Sequence, residues 1–238
     1  MMRLRILFDN VPGEPGLRSL WGFAVLVEQR KRSWLFDTGS NGRFLLYNAK
    51  KMGIDLSQIR ELVITHPHWD HTGGIDSVLE VAPWARLYLP RSISPRWRRD
   101  LEELSGGVRV VGEEPVELFG GVFSTGVMAE IGEQSVLIPS KRGWVLLTGC
   151  AHAGILAIAE RAREMTGEAP SLVMGGFHLM ESSEDEIRRT IHGLRALGVE
   201  EVCPTHCTGE RATAMFREAY GQKCLRGGVG RVLEIRGE

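Results

Sequence analysis

The sequence predicts an α/β domain in which two β-sheets share one edge and are flanked by helices. Short strand-like runs dominate the first half of the chain, whereas strand-like and helix-like segments alternate in the second half. Strand-like runs in both halves end in turns that contain histidine, which places a site between the two sheets. Since no linker, low-complexity tract or repeat interrupts residues 1–238, one domain is predicted for the whole chain.

Strands are predicted in the first part of the chain wherever a short run is apolar or alternates between apolar and polar residues. These runs are Leu4 to Phe8, Phe23 to Val27, Trp34 to Phe36, Glu61 to Thr65, Arg86 to Leu89 and Val108 to Val111. Helices are predicted where apolar residues recur at helical spacing, and Gly53 is the stop signal of the first. The helical segments are Arg43 to Met52, Ile75 to Glu80 and Pro95 to Leu104.

The second part of the chain changes to alternating strands and helices. The predicted strands are Val116 to Phe119, Val122 to Thr125, Ser135 to Pro139, Trp144 to Thr148, Leu172 to Met174, Glu201 to Cys203 and Val232 to Ile235. The predicted helices are Ile155 to Met165, Ser183 to Leu197 and Glu210 to Tyr220. The helix from Ser183 carries acidic residues in its first turn and arginine further along, as the helix dipole prefers.

Composition limits the classes of function. A net charge of −1 provides no global field for holding nucleic acid or an anionic membrane. The longest apolar runs are too short to span a membrane, and the N-terminus lacks the apolar region of a signal peptide, so we expect a cytoplasmic protein. The four cysteines show no CxxC pair and no spacing typical of a disulfide framework: Cys150, Cys203, Cys207 and Cys224.

The segment His66-Pro67-His68-Trp69-Asp70-His71 is the strongest functional signal. It contains three imidazoles and one carboxylate within six residues, directly after the apolar run Leu62-Val63-Ile64. Imidazole and carboxylate are ligands that suit zinc, manganese and iron. The segment therefore predicts a site for a divalent metal, with zinc as the first choice and manganese or iron as alternatives.

Three later histidines support this prediction. His152, His178 and His206 each follow an apolar strand-like run, where open sheets place their ligand sites. Their shared position predicts that His152 and His206 bind metal, while a ligand role and a catalytic role both stay open for His178. The remaining histidine, His192, lies inside a predicted helix and is interpreted as an ordinary helix residue.

These residues resemble the metallo-β-lactamase superfamily. The match consists of His66-x-His68-x-Asp70-His71, the preceding turn Phe36-Asp37-Thr38-Gly39 and the spaced later histidines, and it spans essentially the whole chain. The resemblance implies an αββα sandwich of two mixed sheets flanked by helices, with one or two divalent metals at one end of the sheets. It also implies that His66 and His68 bind one metal, and that Asp70, His71 and His206 bind the second.

The chain departs from the family pattern in two places. No histidine lies between Phe123 and Gly149, so we assign to His152 the role of completing the first metal site. Cys150 stands where many members have an aspartate that bridges both metals, and a bridging thiol, a supporting thiol and a simply buried cysteine all stay open. Loss of that carboxylate puts firm binding of two metals in doubt.

A narrower likeness concerns three short motifs. Thr148 to Gly154, Gly175 to Leu179 and His206 to Gly209 resemble the superfamily branch that contains the archaeal 7,8-dihydropterin-6-methyl-4-(β-D-ribofuranosyl)-aminobenzene-5′-phosphate synthases. Many bacterial relatives in that branch are called metal-dependent hydrolases. The resemblance indicates the branch of the superfamily but not the substrate, because nothing in the sequence indicates a pterin pocket.

The sequence thus favours a metal-dependent hydrolase that acts on a small anionic ester or phosphoester through a metal-activated water. Asp70 would orient the nucleophile or relay a proton, and His178 would donate a proton to the leaving group or hold the anionic substrate. Asp37 either accepts a hydrogen bond from a ligand histidine or only forms the Asp-Thr-Gly turn.

Three other functions stay open. The first is a dihydropterin-type condensation with a phosphorylated aminobenzene riboside, and the second is a non-catalytic, metal-stabilised binding or sensor protein. A nuclease would need a basic groove, which the near-neutral charge argues against. Homo-oligomerisation is compatible with the sequence but is not indicated by it.

Overall fold

Two mixed β-sheets pack face to face, and helices cover the outer face of each sheet. The computed structural model describes residues 2–29 and 32–235. The strands are β1 (Met2–Asp9), β2 (Phe23–Gln29), β3 (Arg32–Phe36), β4 (Glu61–Val63), β5 (Arg86–Pro90), β6 (Val108–Val111), β7 (Val116–Phe119), β8 (Val122–Met128), β9 (Glu133–Ser140), β10 (Gly143–Thr148), β11 (Leu172–Gly176), β12 (Glu201–Thr205) and β13 (Val232–Ile235). The helices are α1 (Gly42–Lys51), α2 (Trp69–Thr72), α3 (Ile75–Val81), α4 (Pro95–Leu104), α5 (Ile155–Thr166), α6 (Glu184–Leu197) and α7 (Glu210–Tyr220).

Both sheets combine antiparallel and parallel strands. The first sheet has the order β13-β1-β2-β3-β4-β5-β6, and the second has the order β12-β11-β10-β9-β8-β7. In the first sheet, β3 to β6 are parallel and the strands from β13 to β3 are antiparallel. In the second sheet, β10 to β12 are parallel and β7 to β10 are antiparallel. This arrangement confirms the predicted two mixed sheets.

The packing of β2 shows why the sequences of many strands are continuous apolar runs. Phe23, Val25 and Val27 belong to the core between the two sheets, whereas Ala24 and Leu26 pack under the helices of the first sheet. A strand buried on both faces needs apolar residues at every position, because its neighbours alternate between the two layers. A third core lies between the second sheet and helices α5 to α7. The layers therefore follow the order helix, sheet, sheet, helix.

Two details differ from the sequence predictions. The sheets do not share an edge: they share a face, because each contributes its inward side chains to a common apolar core. The turn expected after His66 is partly helical, because the backbone N–H groups of His71 and Thr72 both donate to the carbonyl of His68 to form α2. This turn of helix directs Asp70 and His71 toward the same side.

The described residues contain no helix that is both long enough and apolar enough to cross a membrane.

Candidate metal centre

The carboxyl ends of strands from both sheets converge at one end of the sandwich. In the first sheet, His66 follows β4, and α2 then carries Asp70 and His71. In the second sheet, Cys150 and His152 follow β10, His178 follows β11 and His206 follows β12. The structure thus brings every residue predicted for the site to one place, while His192 lies exposed on α6 as expected.

Three groups of side chains are compact enough to hold a metal ion, since the donor atoms within each group lie within 4.8 Å of one another. The first group, which we call the first triad, is His66, His68 and His152. The second group, the acidic tetrad, is Asp70, His71, Cys150 and His206. The third group, the outer triad, is Cys150, His152 and His178. Cys150 and His152 are each shared by two groups.

Hydrogen bonds to Nδ1 set the orientation of the buried imidazoles. His71 Nδ1 lies 2.7 Å from Asp37 Oδ2, and His66 Nδ1 lies 2.8 Å from the hydroxyl of Thr65. His206 Nδ1 lies 2.7 Å from Asn10 Oδ1. A protein that fixes Nδ1 in this way leaves Nε2 free as a lone-pair donor, as in histidines that bind metals. The predicted contact between Asp37 and a histidine is therefore present.

The Nε2 atoms that are left free point at one another across the cluster. His66 Nε2 lies 3.1 Å from His68 Nδ1, and His71 Nε2 lies 3.3 Å from Cys150 Sγ. Asp70 Oδ2 lies 3.5 Å from His71 Nε2 and 3.4 Å from His206 Nε2. These separations match those expected between ligands that bind the same ion at about 2.0 to 2.3 Å.

One buried atom tests directly whether the cluster suits a metal. His152 Nε2 is shielded from solvent and has no hydrogen-bond partner among the residues that the structure describes. A buried polar atom without a partner is costly, and it becomes satisfied when it binds an ion. Imidazole, carboxylate and thiol donors are the set that borderline-soft metals such as zinc prefer. The residues present therefore fit a divalent metal.

The charges in the cluster leave several donors ready to bind. Burial, followed by the charges of neighbouring histidines, lowers the pKa of His66 far below its usual value and lowers that of His152 to about 4. Burial disfavours the charged forms of Asp70 and His71, but charged neighbours outweigh it. The imidazoles of His206 and His71 lower the pKa of Asp70 to about 2, and Asp37 raises the pKa of His71 to about 9. At neutral pH His66 and His152 are thus neutral lone-pair donors, whereas His71 carries a proton that an ion displaces on binding.

Glu133 positions the segment that carries Cys150 and His152. Its buried carboxylate accepts hydrogen bonds from the backbone N–H groups of Cys150, Ala151 and His152 at 2.7, 3.0 and 2.7 Å. Burial raises the pKa of this carboxyl group. Three charge-assisted hydrogen bonds hold the loop at a fixed distance from His66, whose Nδ1 lies 3.8 Å from Glu133 Oε1.

Backbone conformation at the centre is unusual. Among the described residues, five other than glycine have positive φ, and four of them belong to this centre: Asp37, Ala151, His178 and His206. Left-handed backbone costs free energy for such residues, and it persists where the surrounding structure enforces it, commonly at functional sites. The backbone is also closely packed next to Ala151, since a Cβ atom on Gly149 would lie 2.5 Å from the Thr65 hydroxyl.

Sequence reasoning gave no role in the centre to Asn10 or to Cys207. Asn10 follows β1 and contacts a histidine 196 positions later in the chain, and only the polar pair Asp9-Asn10 after an apolar strand could have drawn attention to it. Cys207 is buried, and its Sγ lies 3.6 Å from the carbonyl oxygen of Cys150. Burial works against ionisation of Cys207, but hydrogen bonds with Cys150 and His178 lower the pKa of its thiol well below the usual value.

Comparison with known proteins identifies the family. The family model described as the metallo-beta-lactamase superfamily matches residues 22–155, which is more than half of the chain. The chain is 26% identical to the 7,8-dihydropterin-6-methyl-4-(beta-D-ribofuranosyl)-aminobenzene-5′-phosphate synthase of Methanocaldococcus jannaschii, over 90% of this chain and 88% of that protein.

Solved structures agree with the family model. A metal-dependent hydrolase of the beta-lactamase superfamily superposes with a TM-score of 0.82 and 32% identity over 99% of both chains. Human tRNase Z, short form, superposes with a TM-score of 0.67 and 16% identity over 98% of this chain and 99% of that one, a likeness that concerns the fold alone. From its two helix-covered sheets, its His/Asp cluster and these similarities, we conclude that the chain belongs to the metallo-beta-lactamase superfamily.

Proposed function

We propose that this protein is a metal-dependent hydrolase that acts on a small anionic ester or phosphoester. The observation that carries the proposal is the adjacency of the first triad and the acidic tetrad, which lie side by side at one end of the sandwich, with the rings of His66 and His71 4.2 Å apart. In this assignment His66, His68 and His152 would hold one metal, and Asp70, His71 and His206 would hold the second, with Cys150 as a further donor candidate beside the second. Bound divalent metal would supply Lewis acidity, by lowering the pKa of a water to about 7 and polarising a substrate oxygen.

The side chains of the centre divide into buried and accessible ones. His66, His71 and His206 are buried, whereas His68 and His152 are half-buried and His178 is exposed. Substrate would therefore approach from the side of His178, whose ring lies 4.4 Å from that of His152. The hydrogen bond with Cys207 raises the pKa of His178, which favours the protonated form and suits a donor to the leaving group. Asp70 would orient the nucleophile by accepting a hydrogen bond from it.

The space beside the centre suits a small ligand. A cavity of about 660 Å³ lies next to His206. Thr213 and Arg217 of α7 line it and provide a hydroxyl and a guanidinium for an anionic group, while Glu210 in the same wall would disfavour a second negative charge. Because His206 is the one proposed ligand in this lining, the cavity would hold a distal anionic group of the substrate and not the bond that reacts.

We also propose that residues 1–238 act as one domain and that the enzyme works in the cytoplasm. The ligand candidates come from both sheets, so neither half of the chain forms the centre alone. All four cysteines are free thiols, which is typical of a reducing compartment.

The first test measures metal content and hydrolysis together. Protein purified without chelator or added metal is expected to contain one to two metal ions per chain and to hydrolyse part of a panel of phosphodiesters, phosphomonoesters and lactones. His68→Ala should lose metal and activity, whereas His192→Ala, an exposed helix histidine, should keep both. A wild-type protein without metal would exclude the proposal, and so would hydrolysis that persists at full rate after complete chelation.

A second candidate is a synthase reaction, favoured by the 26% identical relative from Methanocaldococcus jannaschii. In that case the metal would activate a phosphorylated aminobenzene riboside for condensation with a dihydropterin. The same preparations can be supplied with both reactants and the products separated by mass spectrometry. A coupled pterin–aminobenzene product, with no turnover of the ester panel, would favour the synthase.

The hydrogen bond from His71 to Asp37 provides a further prediction. Asp37→Asn replaces the charged acceptor beside Nδ1 by an amide and should lower zinc affinity by about 10- to 100-fold, since outer partners of ligand histidines typically contribute that much. Competition with a chromophoric chelator measures the affinity. Asp76→Asn, an exposed carboxylate on α3, is the matched control and should bind zinc as the wild type does. Equal affinities for both variants would show that Asp37 only shapes its turn.

A further inference from the structure

Large apolar side chains remain exposed beside the metal centre, where the proposed reaction does not use them. Trp69 is 63% exposed and begins α2, between His68 and Asp70. Trp21 and Met180 are 36% and 39% exposed. A single exposed apolar residue needs no explanation, but several around one site commonly mark a binding surface. We call Trp21, Trp69 and Met180 the apolar rim.

Contacts with the acidic tetrad fix the position of Trp21. Its ring centroid lies 5.1 Å from that of His206, with the two ring planes tilted by 50°. The next residue, Gly22, packs directly on α2, since a Cβ atom on Gly22 would lie 2.5 Å from the carbonyl oxygen of Asp70. Trp21 is therefore held between a proposed metal ligand and the helix that carries Trp69.

Met180 extends the rim to the cavity beside His206. It lies two residues after His178, and it lines the cavity of about 660 Å³ together with His206. Its backbone is close to the start of α7, because a Cβ atom on Gly209 would lie 2.9 Å from Met180 Cα. The apolar rim is thus continuous with the cavity proposed for the anionic group of the substrate.

We propose that the apolar rim binds a flat aromatic ring of the substrate, so that the substrates of this protein are aromatic esters or phosphoesters. Indole rings pair with other aromatic rings by offset stacking or edge-to-face contact, and a methionine thioether makes favourable contacts with ring edges. Because close backbone packing already holds the segments of Trp21 and Met180, binding of a ring orders little of the main chain. This inference rests on the proposed function, since it places the ring beside the metals that would act on the ester.

Two phosphonates of equal charge and similar size test the inference. Phenylphosphonate carries a flat ring and cyclohexylphosphonate a puckered one, and neither contains an ester to hydrolyse. Calorimetric titration of the metal-loaded protein measures both dissociation constants without turnover. Phenylphosphonate should bind about 2- to 10-fold more tightly, which is the contribution typical of aromatic pairing beyond the burial of apolar area. Trp21→Ala and Trp69→Ala should each bring this ratio closer to one, and Trp69→Phe should keep most of it.

Trp84→Ala is the matched control for these variants. Trp84 is 46% exposed, but it packs against the Arg60 guanidinium before the amino end of β5, whereas the metal centre lies at the carboxyl ends of the strands. This variant should keep the affinity ratio of the wild type. Equal binding of the two phosphonates by the wild type, or binding of neither, would overturn the inference. A ratio that survives in both Trp21→Ala and Trp69→Ala would do the same.

The inference and the proposed function can fail separately. A protein that hydrolyses members of the ester panel but shows no preference for phenylphosphonate contradicts only the aromatic substrate class. A protein that prefers phenylphosphonate but hydrolyses no ester contradicts only the proposed hydrolysis.

Discussion

His71→Ala is expected to reduce zinc affinity at the acidic tetrad by more than about 100-fold, which exceeds the effect typical of residues that only support a ligand. The substitution removes a nitrogen that lies 3.3 Å from Cys150 Sγ and 3.5 Å from Asp70 Oδ2. It also leaves the Asp37 carboxylate without its imidazole partner in a fully buried position. Breaking such a buried pair should lower the free energy of unfolding of the metal-free protein by about 3 kcal/mol.

Two measurements separate these effects of His71→Ala. Metal content after dialysis against buffered free zinc reports on affinity, and urea unfolding in the presence of chelator reports on stability. His192→Ala should be unchanged in both, because its side chain is exposed on α6. A folded His71→Ala protein with the metal content of the wild type would contradict the assignment of His71 to the tetrad.

Glu133→Ala is expected to have the second large effect, although Glu133 is not itself assigned as a ligand. Its removal leaves three buried backbone N–H groups, those of residues 150 to 152, without acceptors. At about 1 to 3 kcal/mol for each unsatisfied group, the free energy of unfolding should fall by at least about 3 kcal/mol. Because the same loop carries Cys150 and His152, metal binding by both the first triad and the tetrad should weaken together.

The matched control for this prediction is Glu130→Ala, since Glu130 is an exposed glutamate in the turn just before β9. Urea unfolding and zinc titration of the two variants provide the comparison. Glu133→Gln keeps one acceptor oxygen and should recover part of the stability. A Glu133→Ala protein as stable as Glu130→Ala would show that water satisfies the three N–H groups, and the loop would not depend on the carboxylate.

The sequence predicted those parts of the molecule that depend on local patterns. Helix α4 and strands β6 and β7 have the bounds that apolar spacing and turn residues indicated. The His66 to His71 segment could be recognised because its donors lie close together in the chain. Asp37 was open to two interpretations, and the structure supports the contact with a ligand histidine, because β3, which precedes Asp37, pairs with β4.

What the sequence did not predict depends on contacts between distant segments. Whether two sheets share an edge or a face is decided by which apolar side chains meet across the core, such as Val25 of the first sheet and Val136 of the second. The role of Glu133 also depends on such contacts, since a single acidic residue in a strand does not show which loop it will hold. For the same reason the sequence predicted no site role for Asn10, or for Cys207 within the His206 to Gly209 motif.

The contact between Asn10 and His206 joins positions 196 residues apart, and β1 pairs directly with β13. The chain therefore cannot complete the acidic tetrad until β12 has been synthesised, because His206 and its partner Asn10 lie 196 residues apart. Contacts of such long range form late and slowly during folding. Metal binding at the acidic tetrad should thus follow the synthesis of β12, and a nascent chain stalled before β12 would emerge with the His66 to His71 segment exposed and only part of its ligands in place.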